Sequence, residues 1–355
     1  MMKTAKVMVT AAGSIVSQGI IKSLKLANNN SSPFVSYSIT ATDASPLAAG
    51  LYRCNKGYLV PRAVSSEYIE SIVQICRESE IQAIFVGSDD ELLALADSRG
   101  RIQSESGALV IAGSSSILSV ARDKWKTYEF CKRNQVPCAP TSLPEDQAEF
   151  LKEFGFPVVV KPREGYGSVQ FHIANSNDEV KTALHNIERV GWKPIIQQYI
   201  GGDEFTSGVT VDRTGSYVMS SISIRKILKH GQTHQAFIDD YVPVRKSAED
   251  AALKLGLVGP VNIQVRMDNE NPLVIEINPR FSATCPMRAV AGINEPDIVF
   301  RNFLLREEIK PQRYESLVCM RYWNEVYLPK GLFKEASSSD DITKSSSGSF
   351  IPDYF

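Results

Sequence analysis

Glu276, Asn278 and Arg280 stand at alternate positions in Val-Ile-Glu-Ile-Asn-Pro-Arg, residues 274–280. Alternate residues of a strand share a face, so a carboxylate and an amide point together while Ile275 and Ile277 take the other side. Just upstream, Val261, Ile263, Val265 and Met267 alternate with Asn262, Gln264 and Arg266. The link between the two runs, Asp268-Asn269-Glu270-Asn271-Pro272, is turn-like in composition. A hairpin folded about Glu270 sets Gln264 opposite Glu276 and Asn262 opposite Asn278. A face with hard oxygen ligands and one carboxylate suits Mg²⁺ when phosphate groups supply the remaining charge. The same alternation also describes a hairpin with one face in solvent.

A second chemical signal is Lys161, which ends the apolar run Phe156–Val160 and precedes Pro162. A buried ammonium needs an anion, although a lysine at a strand end can instead snorkel to water. Arg163-Glu164-Gly165-Tyr166-Gly167-Ser168 follows, and its glycines let backbone amides approach phosphate oxygens, as they also would in a plain turn. Lys124 opens a helix pattern that runs to about Asn134. Lys193–Ile200 is a strand leading into Gly201-Gly202-Asp203-Glu204.

These pieces, in this order, resemble the ATP-grasp superfamily, and within it the ATP-binding halves of carbamoyl-phosphate synthetase large subunits. Five elements carry the resemblance: Asp123-Lys124, the Val-Lys-Pro strand, the glycine loop, the hinge with its Glu, and the Gln…Glu-x-Asn-Pro-Arg hairpin. It implies that Lys124 and Lys161 contact phosphates and that Gly165, Tyr166, Gly167 and Ser168 form a lid over them. Gln197, Tyr199 and Ile200 take the hinge against adenine, and Glu204 holds the ribose hydroxyls. Many members have Glu where Gln197 stands. Gln264, Glu276 and Asn278 take the metal positions, for Mg²⁺ with Mn²⁺ as a substitute. Arg280 would stabilise the transferring phosphoryl group, and Arg288 would hold a substrate carboxylate. Carbamoyl-phosphate synthetases show a second arginine where this chain has Ala283, and they carry two such units. Both differences count against bicarbonate as substrate.

The elements that must position these residues are legible in part. The first third alternates strands (6–11, 34–42, 83–86, 108–111) with helices (16–26, 66–78, 89–98), the pattern of an open parallel sheet with helices on both faces. Its loop Ala11–Gly19 is a candidate anion site or simply a tight turn, and it lacks the dinucleotide and P-loop glycine spacings. Gly87–Glu91 lies at a strand's carboxyl end, where such sheets place ligands, but its acids equally offset a helix dipole. Residues 225–241 read as a long cation-bearing loop that either connects or faces substrate. Ala336–Ser349, rich in Ser and Asp, reads as a loosely ordered tail. The expected fold class is α/β: a parallel-sheet domain (1–113), then an ATP-grasp small lobe (114–195), a large lobe (196–330) and the tail (331–355).

With a net charge of −1, electrostatics give no support for nucleic acid or an anionic membrane surface as partners. The six cysteines form no Cys-x-x-Cys, which places the chain by default in the cytoplasm and argues against zinc. The expected partners are a small-molecule carboxylate and an amine, with a homodimer compatible. The chemistry implied by the resemblance is ATP-dependent ligation through an acyl phosphate. Its rivals are a carbamoyl- or carboxylation-type step, a non-catalytic nucleotide-binding protein, and a dinucleotide-dependent oxidoreductase built on the first domain.

Overall fold

The computed structural model describes residues 3–30, 34–165, 167, 169–322 and 324–352. Tyr166 and Ser168 of the expected lid lie outside the described residues.

The N-terminal layer is a parallel sheet of β1 (Lys3–Val9), β2 (Val35–Asp43), β3 (Lys56–Leu59), β4 (Ala83–Phe85) and β5 (Leu109–Ile111), in the order β3-β2-β1-β4-β5. Helices α1 (Ile15–Asn28), α2 (Tyr68–Glu78), α3 (Asp89–Asp97) and α4 (Arg99–Ser106) cover it. Both faces of β1 are buried: Val7 and Val9 pack in one core cluster and Met8 in another. That explains a strand read as a continuous apolar run rather than an alternating one. The caps are local sequence effects, with Ser14 accepting from the Ser17 N–H and Ser88 from the Glu91 N–H.

Helices α5 (Ser115–Arg122) and α6 (Lys124–Arg133) lead to a four-stranded antiparallel sheet. It comprises β6 (Thr141–Ser142), β7 (Val158–Pro162), β8 (His172–Ala174) and β9 (Pro194–Gln198), ordered β6-β9-β7-β8, with α7 (Gln147–Phe154) and α8 (Asn177–Arg189). The third sheet is antiparallel: β10 (Glu204–Val211), β11 (Val218–Lys229), β12 (Gln232–Ile238), β13 (Gly259–Asp268), β14 (Asn271–Asn278) and β15 (Leu317–Met320), ordered β14-β13-β10-β11-β12-β15. Helices α9 (Val242–Lys254), α10 (Cys285–Val290) and α11 (Glu295–Leu305) pack on it. The first and third sheets share one core: Val7, Val9 and Tyr37 cluster with Ile222, Ile224, Val299 and Phe300.

Three expectations change. Most of residues 225–241 is not a loop but the outer part of the β11–β12 hairpin, in which Ala236 and Ile238 join the core. Charges at Arg225, Lys226 and Lys229 obscured the strand pattern. The Ser-rich segment is ordered. Helices α12 (Lys330–Ala336) and α13 (Thr343–Ser347) dock on the N-terminal layer, where Ala336 and Ile342 enter a cluster with Ala12, Leu51 and Tyr52. Its serines serve as donors, Ser346 Oγ to the Leu51 carbonyl (2.8 Å) and Ser349 Oγ to that of Tyr52 (2.7 Å). Low apolar content suggested disorder, but two well-placed apolar side chains and a set of carbonyl contacts hold the segment.

The third change is in β14. Gln264 does face Glu276 and Asn262 faces Asn278, but the register shifts there and Val265 pairs with Val274. Ile275 is the extra residue of a bulge. It therefore lines a pocket beside Glu276 instead of facing the core with Ile277.

Candidate active site

One pocket between the second and third sheets is lined by Lys124, Lys161, Gly165, Gly167, Gln197, Tyr199, Ile200, Glu204, Gln264 and Glu276. Residues from far-separated stretches of the chain are thus brought together. Asn278, Arg280 and Arg288 do not line it.

Lys161, at the end of the fully buried β7, is only 7% exposed. Its ammonium donates to Gln197 Oε1 at 2.8 Å and has no carboxylate ion-pair partner among the described residues. Burial, followed by the nearby charge of Lys124, lowers its pKa to about 8. Gln197 is fixed in turn, because its amide nitrogen donates to Thr141 Oγ1 at 2.9 Å. Its backbone sits within the sheet between β6 and β7, so it is the Gln197 side chain that faces the lysine.

Lys124 owes its position to an N-cap. Asp123 accepts from the Trp125 N–H and is gripped by Arg163 through two contacts of 3.0 and 2.5 Å. This ties the start of α6 to the segment after β7. Lys124 Nζ then reaches the Gly165 carbonyl at 3.2 Å and approaches Glu276 Oε1 at 3.8 Å. Gly167, which lines the pocket with Gly165, has φ +65°, a backbone angle that favours glycine.

Glu204 bonds through both oxygens, to Lys226 Nζ at 2.8 Å and to Arg266 at 2.7 Å. Burial alone would raise its pKa, but these two cations hold the carboxyl below its usual range. Lys226 also donates to Gln264 Oε1 at 3.0 Å, and Arg266 donates to the Ile200 carbonyl at 2.7 Å. Neither cation was singled out from the sequence as a site residue. Arg266 could have been, since it shares the polar face of β13 with Gln264. Lys226 could not, because its stretch was read as a loop. Lys124, Lys161, Lys226 and Arg266 surround two carboxylates, Glu204 and Glu276, an excess of positive charge suited to a polyphosphate. Val159, Ile200, Leu228 and Ile275 supply an apolar wall for a flat base.

The residues that the resemblance gives to a metal carry oxygen donors and no soft ligand. Gln264 and Glu276 present hard oxygens at the same pocket edge, with Asn278 further along the strand. No group of three or more His, Cys, Asp or Glu side chains that could hold a metal occurs among the described residues. A cation here would therefore depend on the phosphates it accompanies.

Arg280 leaves the hairpin toward the N-terminal layer, where Asp89 grips it through contacts of 2.7 and 2.9 Å. Burial opposes ionisation of Asp89, but Arg280, then Arg122 and Lys124, keep its pKa below the usual range. Gly87–Glu91 thus caps a helix and also contacts the arginine that follows the hairpin. Arg288 corrects the sequence reading. It is fully buried and donates to Glu295 (3.1 and 3.2 Å) and to Asn262 Oδ1 (2.9 Å), away from the pocket. Only glycine at 208 leaves room for this pair: a Cβ there would lie 1.7 Å from Glu295 Oε1. Gly13 donates its N–H to Asp43 Oδ2 at 2.8 Å, which occupies the amide that an anion in the first loop would have used.

The chain is similar to known proteins in both sequence and fold. Residues 121–284 match the ATP-grasp domain, and residues 12–111 match the PylC-like N-terminal domain. The carbamoyl phosphate synthase large chain of Campylobacter jejuni is 27% identical over 248 residues, 63% of this chain and 22% of that one. The carbamoyl-phosphate synthase of Methanobrevibacter smithii is 25% identical over 269 residues, 71% of each chain. The chain spans about a fifth of the length of the first of these relatives. Among solved structures, N5-carboxyaminoimidazole synthetase from Staphylococcus aureus complexed with ADP matches with a TM-score of 0.70, at 14% identity over 91% of this chain and 83% of that one. The biotin carboxylase domain of the Hydrogenobacter thermophilus 2-oxoglutarate carboxylase, in complex with MgADP and bicarbonate, gives 0.66 at 18% identity over 93% and 76%. An L-amino acid ligase from Bacillus licheniformis gives 0.63 at 16% identity over 85% and 74%.

Proposed function

We propose that this chain, an ATP-grasp protein with a PylC-like N-terminal domain and a homologue of carbamoyl phosphate synthase large chains, is an ATP-dependent carboxylate–amine ligase. In this reading a small-molecule acid takes the terminal phosphoryl group of ATP to become an acyl phosphate. An amine then displaces phosphate to leave an amide, with ADP as the other product. The observation that carries the reading is the buried Lys161 ammonium, which has a neutral amide as its direct partner and faces a pocket whose other edge is Glu276. Such a charge is stable in place when an anion occupies the pocket.

Lys124 and Lys161 would hold the phosphates, and Arg266 and Lys226 would orient Glu204 toward the ribose. Gln264, Glu276 and Asn278 would hold Mg²⁺, which supplies charge neutralisation on the phosphoryl oxygens. Arg280, positioned by Asp89, would meet the charge that develops during transfer. The rest of catalysis is alignment of acid and amine. We place the activity in the cytoplasm, in keeping with six cysteines that are all free thiols.

The test is release of ADP and phosphate in the presence of candidate acid–amine pairs, with amide formation followed by mass spectrometry. ATP binding with no release for any pair would favour a nucleotide-binding protein without ligase activity. Release that requires bicarbonate instead of an organic acid would favour a carboxylation-type step.

A further inference from the structure

Behind the pocket lies a line of hydrogen bonds that reaches the nucleotide site only at one end. Lys161 and Gln197 line the pocket, Thr141 stands behind them, and each of the three is more than nine-tenths buried. Thr141 is the cross-strand partner of Gln197 in the β6–β9 ladder, and Gln197 pairs with Val159 of β7, two residues before Lys161. Direct and diagonal neighbours of this kind bring side chains within reach of one another.

The direction of each bond is fixed from the far end. Thr141 Oγ1 donates its one proton to the Ala139 carbonyl at 3.0 Å, so toward Gln197 it can only accept. The group facing it at 2.9 Å is therefore the Gln197 amide nitrogen, and the amide oxygen faces Lys161 at 2.8 Å. A reversed amide would set donor against donor at the lysine and acceptor against acceptor at the threonine. Ala139 is pinned in turn. Its N–H donates to the Val274 carbonyl at 3.0 Å, and the Val274 N–H donates to the Pro137 carbonyl at 2.9 Å. Val274 directly precedes Ile275 and Glu276 at the pocket edge, so the line is anchored on the hairpin that carries Glu276.

This relay consists of dipoles with no net charge. Each presents its negative end toward the ammonium, which stabilises a buried cation without neutralising it. Burial opposes the charge of Lys161 most, followed by Lys124; Glu276 and Glu204 favour it, and Arg266 opposes it. Both carboxylates pair with other cations, Glu276 with Lys124 and Glu204 with Lys226 and Arg266. Lys161 makes no second hydrogen bond among the described residues, which leaves two of its N–H groups for a ligand in the pocket. A carboxylate in place of the amide would instead close an ion pair with the lysine and repel a phosphate.

We infer that Thr141 is a positioning residue of the nucleotide site: by taking the Gln197 N–H it turns the amide oxygen to Lys161 and so presents an un-neutralised ammonium to the nucleotide phosphates. The inference rests on the nucleotide-binding part of the ligase reading and on neither the acid nor the amine.

The experiment uses the whole chain, carbon-13 labelled at lysine Cε and free of added metal and nucleotide, titrated by NMR from roughly pH 6 to roughly pH 11. The Lys161 signal is the one missing from Lys161→Ala. Its midpoint, about 8 in the wild type, should fall by roughly half a unit or more in Thr141→Val, because the freed amide can turn its NH₂ to the uncharged amine. Thr141→Ser should restore it. In Gln197→Glu the midpoint should rise by roughly one to three units. Calorimetric ADP affinity should fall about two- to threefold near pH 8 in Thr141→Val, and about tenfold near pH 7 in Gln197→Glu. Gln197→Glu keeps the shape of the side chain and carries the test on its own if Thr141→Val does not fold. An unchanged midpoint in Thr141→Val, a shifted one that Thr141→Ser fails to restore, or a Gln197→Glu midpoint at or below that of the wild type overturns the relay. Midpoints that move while ADP affinity stays unaltered in both variants overturn its role at the nucleotide. Shifts and affinities as stated, in a chain that forms no amide from any acid–amine pair, uphold the inference and remove only the ligase assignment.

Discussion

Lys161 is the residue on which the nucleotide reading turns. An ammonium that loses its proton near pH 8 binds a polyphosphate best while still charged. Bound phosphate favours the charged form, so the pKa rises on binding. Nucleotide affinity should therefore be flat below about pH 8 and fall above it. Calorimetry at pH 8 in buffers of different ionisation enthalpy should detect proton uptake on ADP binding. The Lys161→Ala variant should bind ATP about 10- to 100-fold more weakly and lose that pH dependence, since it removes a charge-assisted contact in a dry site. Unchanged affinity by fluorescent-nucleotide titration would remove the assignment. Glu276→Gln should abolish ADP release while leaving the thermal melt unaltered, because it removes a pocket carboxylate and no core contact. Wild-type turnover in that variant would remove the metal position.

At the scale of single elements, the bulge in β14 decides what the hairpin presents. With a regular ladder the pocket edge would be polar alone, whereas the extra residue adds Ile275 to its apolar wall. Ile275→Ala should weaken ATP by about 1 kcal/mol, the value of a modest apolar contact. Its effect on melting should be small, since Val274 and Ile277 carry the core. An unchanged ATP affinity would place the base elsewhere. This detail marks how far the sequence can be read. Lys161, Gln264 and Glu276 were legible from residue type and local spacing, whereas Lys124 and Glu204 were legible only through the order of motifs that carries the resemblance. Ile275 and Lys226 were not, because a bulge and a hairpin register depend on partner strands that local periodicity does not contain. Arg288 misled for a related reason: its partner Glu295 lies on the next helix, and the Gly208 that makes room for the pair is far away in sequence.

At the scale of the molecule, the N-terminal layer grips the segment that follows the hairpin through the Asp89–Arg280 pair. Asp89→Asn removes one half of a largely buried charge pair. It should lower stability by roughly 2–3 kcal/mol and reduce turnover while leaving ATP affinity close to wild type. If turnover is unchanged, Arg280 does not depend on that contact. The alternation of strands and helices in the first third was legible from sequence, and so was the order of the lobes. The docking of α12 and α13 was not, since polar composition cannot reveal which two apolar side chains will find a cleft. Ile342→Ala should lower stability by about 2–4 kcal/mol, seen as a drop in melting temperature, if that side chain fills the core as described. A melt like that of the wild type would leave the segment peripheral.

That docking also bears on the order in which the protein takes shape. The bond between Ser346 and Leu51 joins residues 295 positions apart. A chain emerging from the ribosome tends to fold its first domain first. Here the nascent first layer must keep an apolar cleft open at Ala12, Leu51 and Tyr52 until residues 336–349 have been made. Translation and folding are therefore out of step for this layer, and the interval between them is when the chain is most open to aggregation or chaperone capture.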